Sequence, residues 1–64
     1  MWQIKYKDGK WRFIREKSGQ IRNFDKRRRA RHYAYNHCLD MYEELYLIGP
    51  DGEKELVTFN REAF

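Results

Sequence analysis

The chain has 64 residues, a formal net charge of +4, 17% aromatic residues and one cysteine. This length allows one domain (residues 1–64) with a core near the lower limit for folding without disulfides or metals, and large rings compensate because each buries much area. The single cysteine excludes an internal disulfide and a cysteine-rich zinc site, and no apolar run is long enough for a membrane span. No signal peptide opens the chain, so we expect a complete cytoplasmic protein, or the protein of an element that replicates in the cytoplasm.

The first 24 residues predict a three-stranded antiparallel meander. Asp8-Gly9 is a strong hairpin signal, because a type I′ turn needs positive φ at both central residues. A two-residue loop there pairs Tyr6 with Trp11, and a second loop at Ser18-Gly19 returns a third strand. Side chains alternate along a strand. The inner face is therefore expected to carry Trp2, Ile4, Tyr6, Trp11, Phe13 and Phe24. The open face is expected to carry Gln3, Lys5, Arg12, Ile14, Glu16, Ile21 and Asn23.

Residues 25–41 have the spacing of an amphipathic helix, which we expect over about 25–40 with Asp25 as its N-cap. Several cations lie in its first turns, where they oppose the helix dipole, so their placement favours a function over local stability. Tyr35 and Leu39 point outward in this prediction, unless the C-terminal hairpin covers them. The stripe expected to pack on the sheet is Ala30, Tyr33, Ala34, His37, Cys38 and Met41.

Two further strands, 44–48 and 54–59, are predicted on either side of a Gly-Pro-Asp-Gly turn at 49–52. With Gly49 opposite Glu53, one face carries Leu45, Leu47, Val57 and Phe59. The other face carries Tyr46, Ile48, Leu56 and Thr58. The predicted fold is α+β, a single antiparallel sheet in the order β-β-β-α-β-β with one helix (about 25–40) packed on one face.

Charge is distributed unevenly along the chain. Residues 1–37 hold twelve Lys and Arg side chains and three acidic ones, a formal charge of +9, whereas residues 38–64 have a formal charge of −5. A basic half of this size favours a polyanionic partner. The alternative is that the two halves neutralise each other within the fold or between copies of it.

No catalytic or metal-binding pattern is present in the sequence. His32 and His37 are five residues apart on the predicted helix and diverge, so they do not chelate one metal. Cys38 follows His37 directly, but adjacent helical side chains also diverge. We expect no enzyme, no cofactor, no metal and no small-molecule substrate.

The basic residues therefore predict a small binding protein for nucleic acid, with DNA more expected than RNA. Cations on a sheet and at a helix start contact phosphates, and a sheet can enter the major groove. Gln3, Lys5, Arg12 and Asn23 are suited to reading base edges there. The candidate nucleic-acid-binding residues are Lys5, Lys10, Arg12, Lys17, Lys26, Arg28, Arg29 and Arg31.

The alternative is a phage- or mobile-element-type modulator that binds and inhibits a host protein. It would use the exposed helix face or a sheet edge, because Tyr, Arg and Leu on an exposed stripe form interface hot spots. Its candidate residues are Arg28, Arg31, His32, Tyr35 and Leu39. In either case we expect a monomer or a weak homodimer and no membrane partner.

Two stretches, Gly9-Lys-Trp-Arg-Phe-Ile-Arg15 and Phe24-Asp-Lys-Arg-Arg-Arg-Ala30 with Ala34, resemble the amino-terminal arm-binding domain of phage and transposon integrases. The resemblance covers about residues 2–36. It implies a three-stranded sheet, backed by a helix, that docks in the DNA major groove. The residues it implicates are Lys5, Arg12, Ile14, Arg22 and Asn23.

A second resemblance covers more of the chain. Trp2-x-Ile4, Phe24-Asp-x-x-x-x-Ala30-x-x-x-Ala34 and Glu44-Leu-Tyr-Leu-Ile-Gly-Pro-Asp-Gly52 resemble small bacterial and phage domains of unknown function. Those domains have a sheet, one helix and a closing hairpin with an Asp-Gly turn. The resemblance implies the architecture and no activity.

Overall fold

A computed structural model describes residues 1–38 and 41–58. Its elements are β1 (Gln3–Asp8), β2 (Lys10–Phe13), α1 (Arg27–His37), β3 (Glu44–Ile48) and β4 (Lys54–Leu56). Within the described ranges the strands form one antiparallel sheet in the order β2-β1-β3-β4, with α1 on one face. The predicted α+β class, with a single antiparallel sheet and one helix, is confirmed.

The core lies between α1 and the inner face of the two central strands. Ile4 of β1 and Leu47 of β3 are opposite each other and fully buried. Ala30 and Ala34, one helical turn apart, are also fully buried, and their small side chains let the helix approach the sheet closely. Cys38 continues this stripe beyond the last helical turn and is buried as predicted.

The C-terminal hairpin has the predicted register. The Gly49 N–H donates to the Glu53 carbonyl at 2.8 Å, and Gly52 takes a φ of +82°, which glycine adopts without strain. Leu45, Leu47 and Val57 are buried on the inner face. The part of the second predicted strand at Phe59 lies outside the described residues.

The predicted register of the first hairpin is wrong by one residue. Tyr6 is opposite Arg12 instead of Trp11, and Gly9 alone lies between the paired residues Asp8 and Lys10. A shift of one residue exchanges the two faces of a strand. Arg12 and Ile14 therefore lie on the inner side, and Trp11 and Phe13 lie on the opposite face.

Packing explains this register. The Ile14 N–H donates to the Ile4 carbonyl at 2.9 Å, and the Ile14 side chain is only 8% exposed. Because Ala30 and Ala34 bring the helix close to the sheet, an aliphatic side chain fits this position better than an indole. A turn with glycine as its single unpaired residue makes the burial of Ile14 possible.

The predicted third strand consists of two isolated bridges instead of a ladder. The loop after β2 has three residues (17–19) between Glu16 and Gln20, which are joined backbone to backbone at 2.8 Å. Because of the extra loop residue, Arg15 pairs with Ile21, and Phe24 pairs with Trp2. The segment 21–24 therefore returns along the start of β1 before the helix begins.

The helix is shorter than predicted, and the prediction of Asp25 as its N-cap is wrong. Its N-cap is Lys26, without a side-chain cap hydrogen bond, and Asp25 instead pairs with Arg29, with 3.3 Å between Oδ1 and Nε. His37, the last residue of the helix, is exposed, contrary to the prediction. Met41 is 61% exposed, because the helix ends at His37 and helical spacing no longer applies beyond it. This eleven-residue helix is too short to cross a membrane, and residues 1–38 and 41–58 contain no other helix.

Candidate functional site on the open sheet face

The face of the sheet turned away from α1 carries a group of neighbouring aromatic and basic side chains. The strand registers align its residues in rows that run across the strands. The central row consists of Phe13, Lys5, Tyr46 and Leu56. A second row consists of Trp11, Lys7 and Glu44. A third row consists of Gln3, Ile48 and Lys54.

Two aromatic rings from different strands meet on this face. The Trp11 and Tyr46 ring centroids are 5.4 Å apart, with 48° between the ring planes, although β1 separates their strands. Trp11 is 41% exposed, an unusual exposure for so large an apolar side chain. The pair therefore presents ring surface to solvent above the sheet.

Lysines from β1, between the two rings, and from β4, next to the strand of Tyr46, surround these rings. The Lys54 Nζ is 4.7 Å from the Tyr46 centroid and 5.5 Å from the Trp11 centroid. The Lys5 Nζ is 5.3 Å from the Phe13 centroid and 5.9 Å from Trp11. These distances are those of cation–π contacts.

Lys7 completes the group, with its Nζ 5.9 Å from the Trp11 centroid. We name the group the lysine–aromatic cluster, and its members are Lys5, Lys7, Lys54, Trp11, Phe13 and Tyr46. The rings of this cluster can stack on flat π-systems while its ammonium groups contact anions.

Glu44 adds one negative charge at the edge of this cluster. Its Oε1 accepts a hydrogen bond from the Tyr46 hydroxyl at 3.0 Å, and its Oε2 is 3.8 Å from the Lys7 Nζ. The hydrogen bond to Glu44, with some burial, raises the pKa of the Tyr46 hydroxyl. With three lysines and one glutamate, the strands present a net positive charge on this face, and Lys7 is the cluster lysine that pairs with the carboxylate.

The predicted nucleic-acid-binding residues do not form one surface. Lys5 lies on the open face, Lys10 lies beside the first turn, and Lys17 lies in the loop after β2. Arg12 is on the inner side, contrary to the predicted open face, because of the register shift. The other four predicted residues belong to the start of α1 and to its outer side, across the sheet from the cluster: Lys26, Arg28, Arg29 and Arg31.

Most of the helix cations have intramolecular partners. Arg27 makes a two-point contact with Glu55 of β4, with Nε–Oε1 at 2.7 Å and Nη2–Oε2 at 2.6 Å. Arg31 donates to the Tyr35 hydroxyl at 3.2 Å. The side chains of Lys26 and Arg28 make no hydrogen bond or ion pair within the described part of the chain.

Arg12 and Arg15 line a groove of about 650 Å³ between β2 and the second half of α1. Tyr33 and His37 form part of its opposite wall, with ring centroids 4.4 Å apart. Cys38 lies at the bottom, and burial raises the pKa of its thiol. A thiol held in its protonated form in this way is not an activated nucleophile.

The helix stripe of the protein-binding alternative is partly covered. Tyr35 is half-buried, and its hydroxyl donates to the Thr58 carbonyl at 3.0 Å, as expected if the C-terminal hairpin packs over it. His32 and Asn36 are exposed, and a hydrogen bond of 2.7 Å links the Asn36 Nδ2 to the His32 Nε2. Leu39 lies outside the described residues. Host-protein binding through this stripe stays a prediction.

The described residues contain no group of three His, Cys, Asp or Glu side chains that could hold a metal ion. Comparisons with protein-family models, with curated proteins and with solved structures found no match. The resemblances to the integrase arm-binding domain and to small bacterial and phage domains therefore stay predictions.

Sequence reasoning missed most of the lysine–aromatic cluster. Tyr46 was correctly predicted on the face away from Leu45 and Leu47, but Trp11 and Phe13 were predicted inside. The usable signal was the pattern of β1, where Lys5 and Lys7 alternate with the apolar Ile4 and Tyr6. Any register that buries Ile14 brings Trp11 and Phe13 to the side of these lysines.

Proposed function

We propose that this chain is a small, non-enzymatic nucleic-acid-binding protein and that the lysine–aromatic cluster is its contact surface. One observation carries the proposal. Three lysines lie within 5.9 Å of aromatic ring centroids on the sheet face that the helix leaves uncovered. Ammonium groups contact phosphates and exposed rings stack on bases, so this combination matches both parts of a nucleotide.

The exposure of Trp11 supports this proposal over a purely structural role for the cluster. A ring needed only for the core would be buried with Ile14 on the other side of the same strand. Burial of Trp11 by a ligand would remove its apolar surface from water, whereas leaving it exposed contributes little to folding.

The exposed cations of the helix, Lys26 and Arg28, have a different part in the proposal. They lie on the opposite side of the sheet, so we do not expect them to contact a ligand that is bound to the cluster. They raise the positive potential of the whole molecule, which accelerates association with a polyanion at low salt. The orienting contacts are those of the sheet face.

Fluorescence anisotropy with labelled 20-nucleotide DNA and RNA, single-stranded and duplex, tests the proposal. We expect binding at roughly 50 mM salt that weakens steeply as salt rises. The double variant Lys5→Gln/Lys54→Gln should bind at least tenfold more weakly. Its logarithmic salt slope should be smaller by roughly 0.7–0.9 for each lost phosphate contact.

A matched control removes the same charge elsewhere. Lys17→Gln/Arg28→Gln also lowers the net charge by two, at exposed positions without ion pairs in the described ranges. This control should reduce affinity much less than the sheet-face variant. Equal losses in both variants would show that net charge alone governs binding and would contradict the cluster as the contact surface. Absence of binding by the wild type to all four ligands would overturn the proposed function.

A further inference from the structure

We infer that the ligand of the lysine–aromatic cluster is single-stranded nucleic acid, bound with little sequence preference. The inference rests on the proposed function and specifies its ligand. It follows from the kind of side chain that the open face presents, since rings and amides recognise different parts of a nucleic acid.

The rings of the cluster need unpaired bases. In a duplex the base faces are stacked on each other, and only base edges and the backbone are accessible. Trp11 and Tyr46 meet as rings on this face, and the Tyr46 hydroxyl already donates to Glu44. A duplex offers these rings no base face to stack on. A single strand exposes base faces, and stacking on aromatic side chains is the usual way in which proteins hold them.

The side chain best suited to reading duplex base edges on this face has a partner already. The Gln3 Nε2 donates to the Asn23 Oδ1 at 2.9 Å, and the Asn23 Nδ2 donates to the Ile21 carbonyl at 3.1 Å. The remaining members of the three rows are lysines, rings, aliphatic side chains and Glu44. Lysines and rings recognise phosphates and π-faces, which every nucleotide has, so we expect tolerance of sequence.

The positions of the lysines suit this ligand. Lys5 lies between Phe13 and Tyr46 in the central row, and the Lys54 Nζ lies over Tyr46. A base that stacks on Tyr46 would displace the Lys54 ammonium from the ring face. The ammonium then contacts a phosphate next to that base, so a phosphate contact replaces the cation–π contact of Lys54 with Tyr46.

Glu44 restricts the path that the nucleic-acid backbone can take across the sheet. Its carboxylate lies beside Lys7 and Tyr46 and repels phosphates from that corner. The backbone is therefore expected to run on the side of Lys5 and Lys54. Removal of this charge should increase affinity, a change of opposite sign to that of every lysine variant.

The closing experiment compares one 20-nucleotide strand of mixed sequence with its own duplex, in DNA and in RNA. We expect the single strand to bind at least tenfold more tightly than the duplex. Trp11→Leu should weaken single-strand binding by about tenfold, and Trp11→Phe, which keeps a ring, by less. Glu44→Gln should strengthen single-strand binding. Tighter binding of a single strand than of its own duplex, in DNA or in RNA, supports the inference. The strand with the higher affinity shows which sugar the protein prefers.

Trp11 is partly exposed, so these variants should fold, and circular dichroism checks this. Equal or tighter binding of the duplex, or an equal effect of Trp11→Leu on strand and duplex, would overturn the inference and leave nucleic-acid binding in place. No binding of any ligand overturns both. If Trp11→Leu does not fold, the difference in wild-type affinity between strand and duplex decides the matter, together with the effect of Trp11→Phe on each.

Discussion

Arg27, in the first turn of α1, holds Glu55 of β4 through two hydrogen bonds of 2.7 and 2.6 Å. This contact joins the basic first half of the chain to its acidic second half. At this one contact the two halves of the chain neutralise each other. Such internal neutralisation was the alternative to a polyanionic partner. Within the described ranges, Lys7 is the one open-face lysine with an ion pair, to Glu44, so most of the positive charge of that face stays available.

The Arg27–Glu55 pair predicts a pH-dependent contribution to stability. The hydrogen bonds from Arg27 lower the pKa of Glu55 below its ordinary value of 4.5. A carboxyl with a lowered pKa stabilises the fold above that ordinary value, and the contribution is lost as the pH falls through the folded-state pKa. Glu55→Gln should therefore lower the melting temperature by a few degrees at pH 7. The difference should disappear under strongly acidic conditions.

Thermal unfolding followed by circular dichroism between pH 2.5 and pH 7 measures this difference. The effect is small because both side chains are partly exposed and solvent screens the pair. Glu53→Gln is a control, since Glu53 is exposed in the neighbouring turn and has no ion pair among the described residues. A difference between wild type and Glu55→Gln that persists unchanged in acid would show that the pair does not stabilise the fold as described.

The register of the first hairpin predicts opposite sensitivities for two neighbouring residues. Ile14 is buried against the core, so Ile14→Ala should lower the free energy of unfolding by about 2–5 kcal/mol. Phe13 is on the open face, and Phe13→Ala should cost about 1 kcal/mol. Urea denaturation measures both, and Ile14→Val is a milder variant if Ile14→Ala does not fold. The register is contradicted if Phe13→Ala proves the more damaging substitution.

The contrast between the two hairpins explains what the sequence could predict. In the C-terminal hairpin the Pro-Asp-Gly turn and the apolar residues indicate the same register, because Leu45, Leu47 and Val57 all require one face. In the segment of β2 and the residue after it, both faces carry large apolar residues, Trp11 on one side and Ile14 on the other. The register then depended on the turn alone, and Gly9 allowed a tighter turn than the one expected.

Because the predicted register was wrong, the prediction from the sequence also missed the candidate site. Because alternation passes an error in one turn to the whole strand, Arg12 was expected on the open face and Trp11 in the core. The helix stripe did not depend on any turn, and the burial of Ala30, Ala34 and Cys38 followed from helical spacing alone. Contacts between distant segments, such as Arg27 with Glu55, had no sequence signal beyond opposite charge.

Gly49 and Trp2 predict a packing constraint at the start of β1. A methyl group added at Gly49 would lie 3.2 Å from both the Trp2 ring and the Glu53 Cβ. Gly49→Ala should therefore lower the free energy of unfolding by about 1–3 kcal/mol. Trp2→Phe makes room, so Gly49→Ala should cost less in that background. A double-mutant cycle in urea measures the coupling, and strict additivity would contradict the contact.

The single thiol offers a direct measure of how firmly α1 is held to the sheet. Cys38 is 3% exposed and burial raises the pKa of its thiol, so native protein contains little accessible thiolate at pH 8. Ellman's reagent should react slowly with the folded chain and at the ordinary rate in urea. Ile14→Ala, which weakens the same core, should accelerate the native reaction in proportion to the loss of stability, if opening precedes labelling. Rapid stoichiometric labelling of the wild type without denaturant would contradict the buried position of Cys38 beneath the last helical turn.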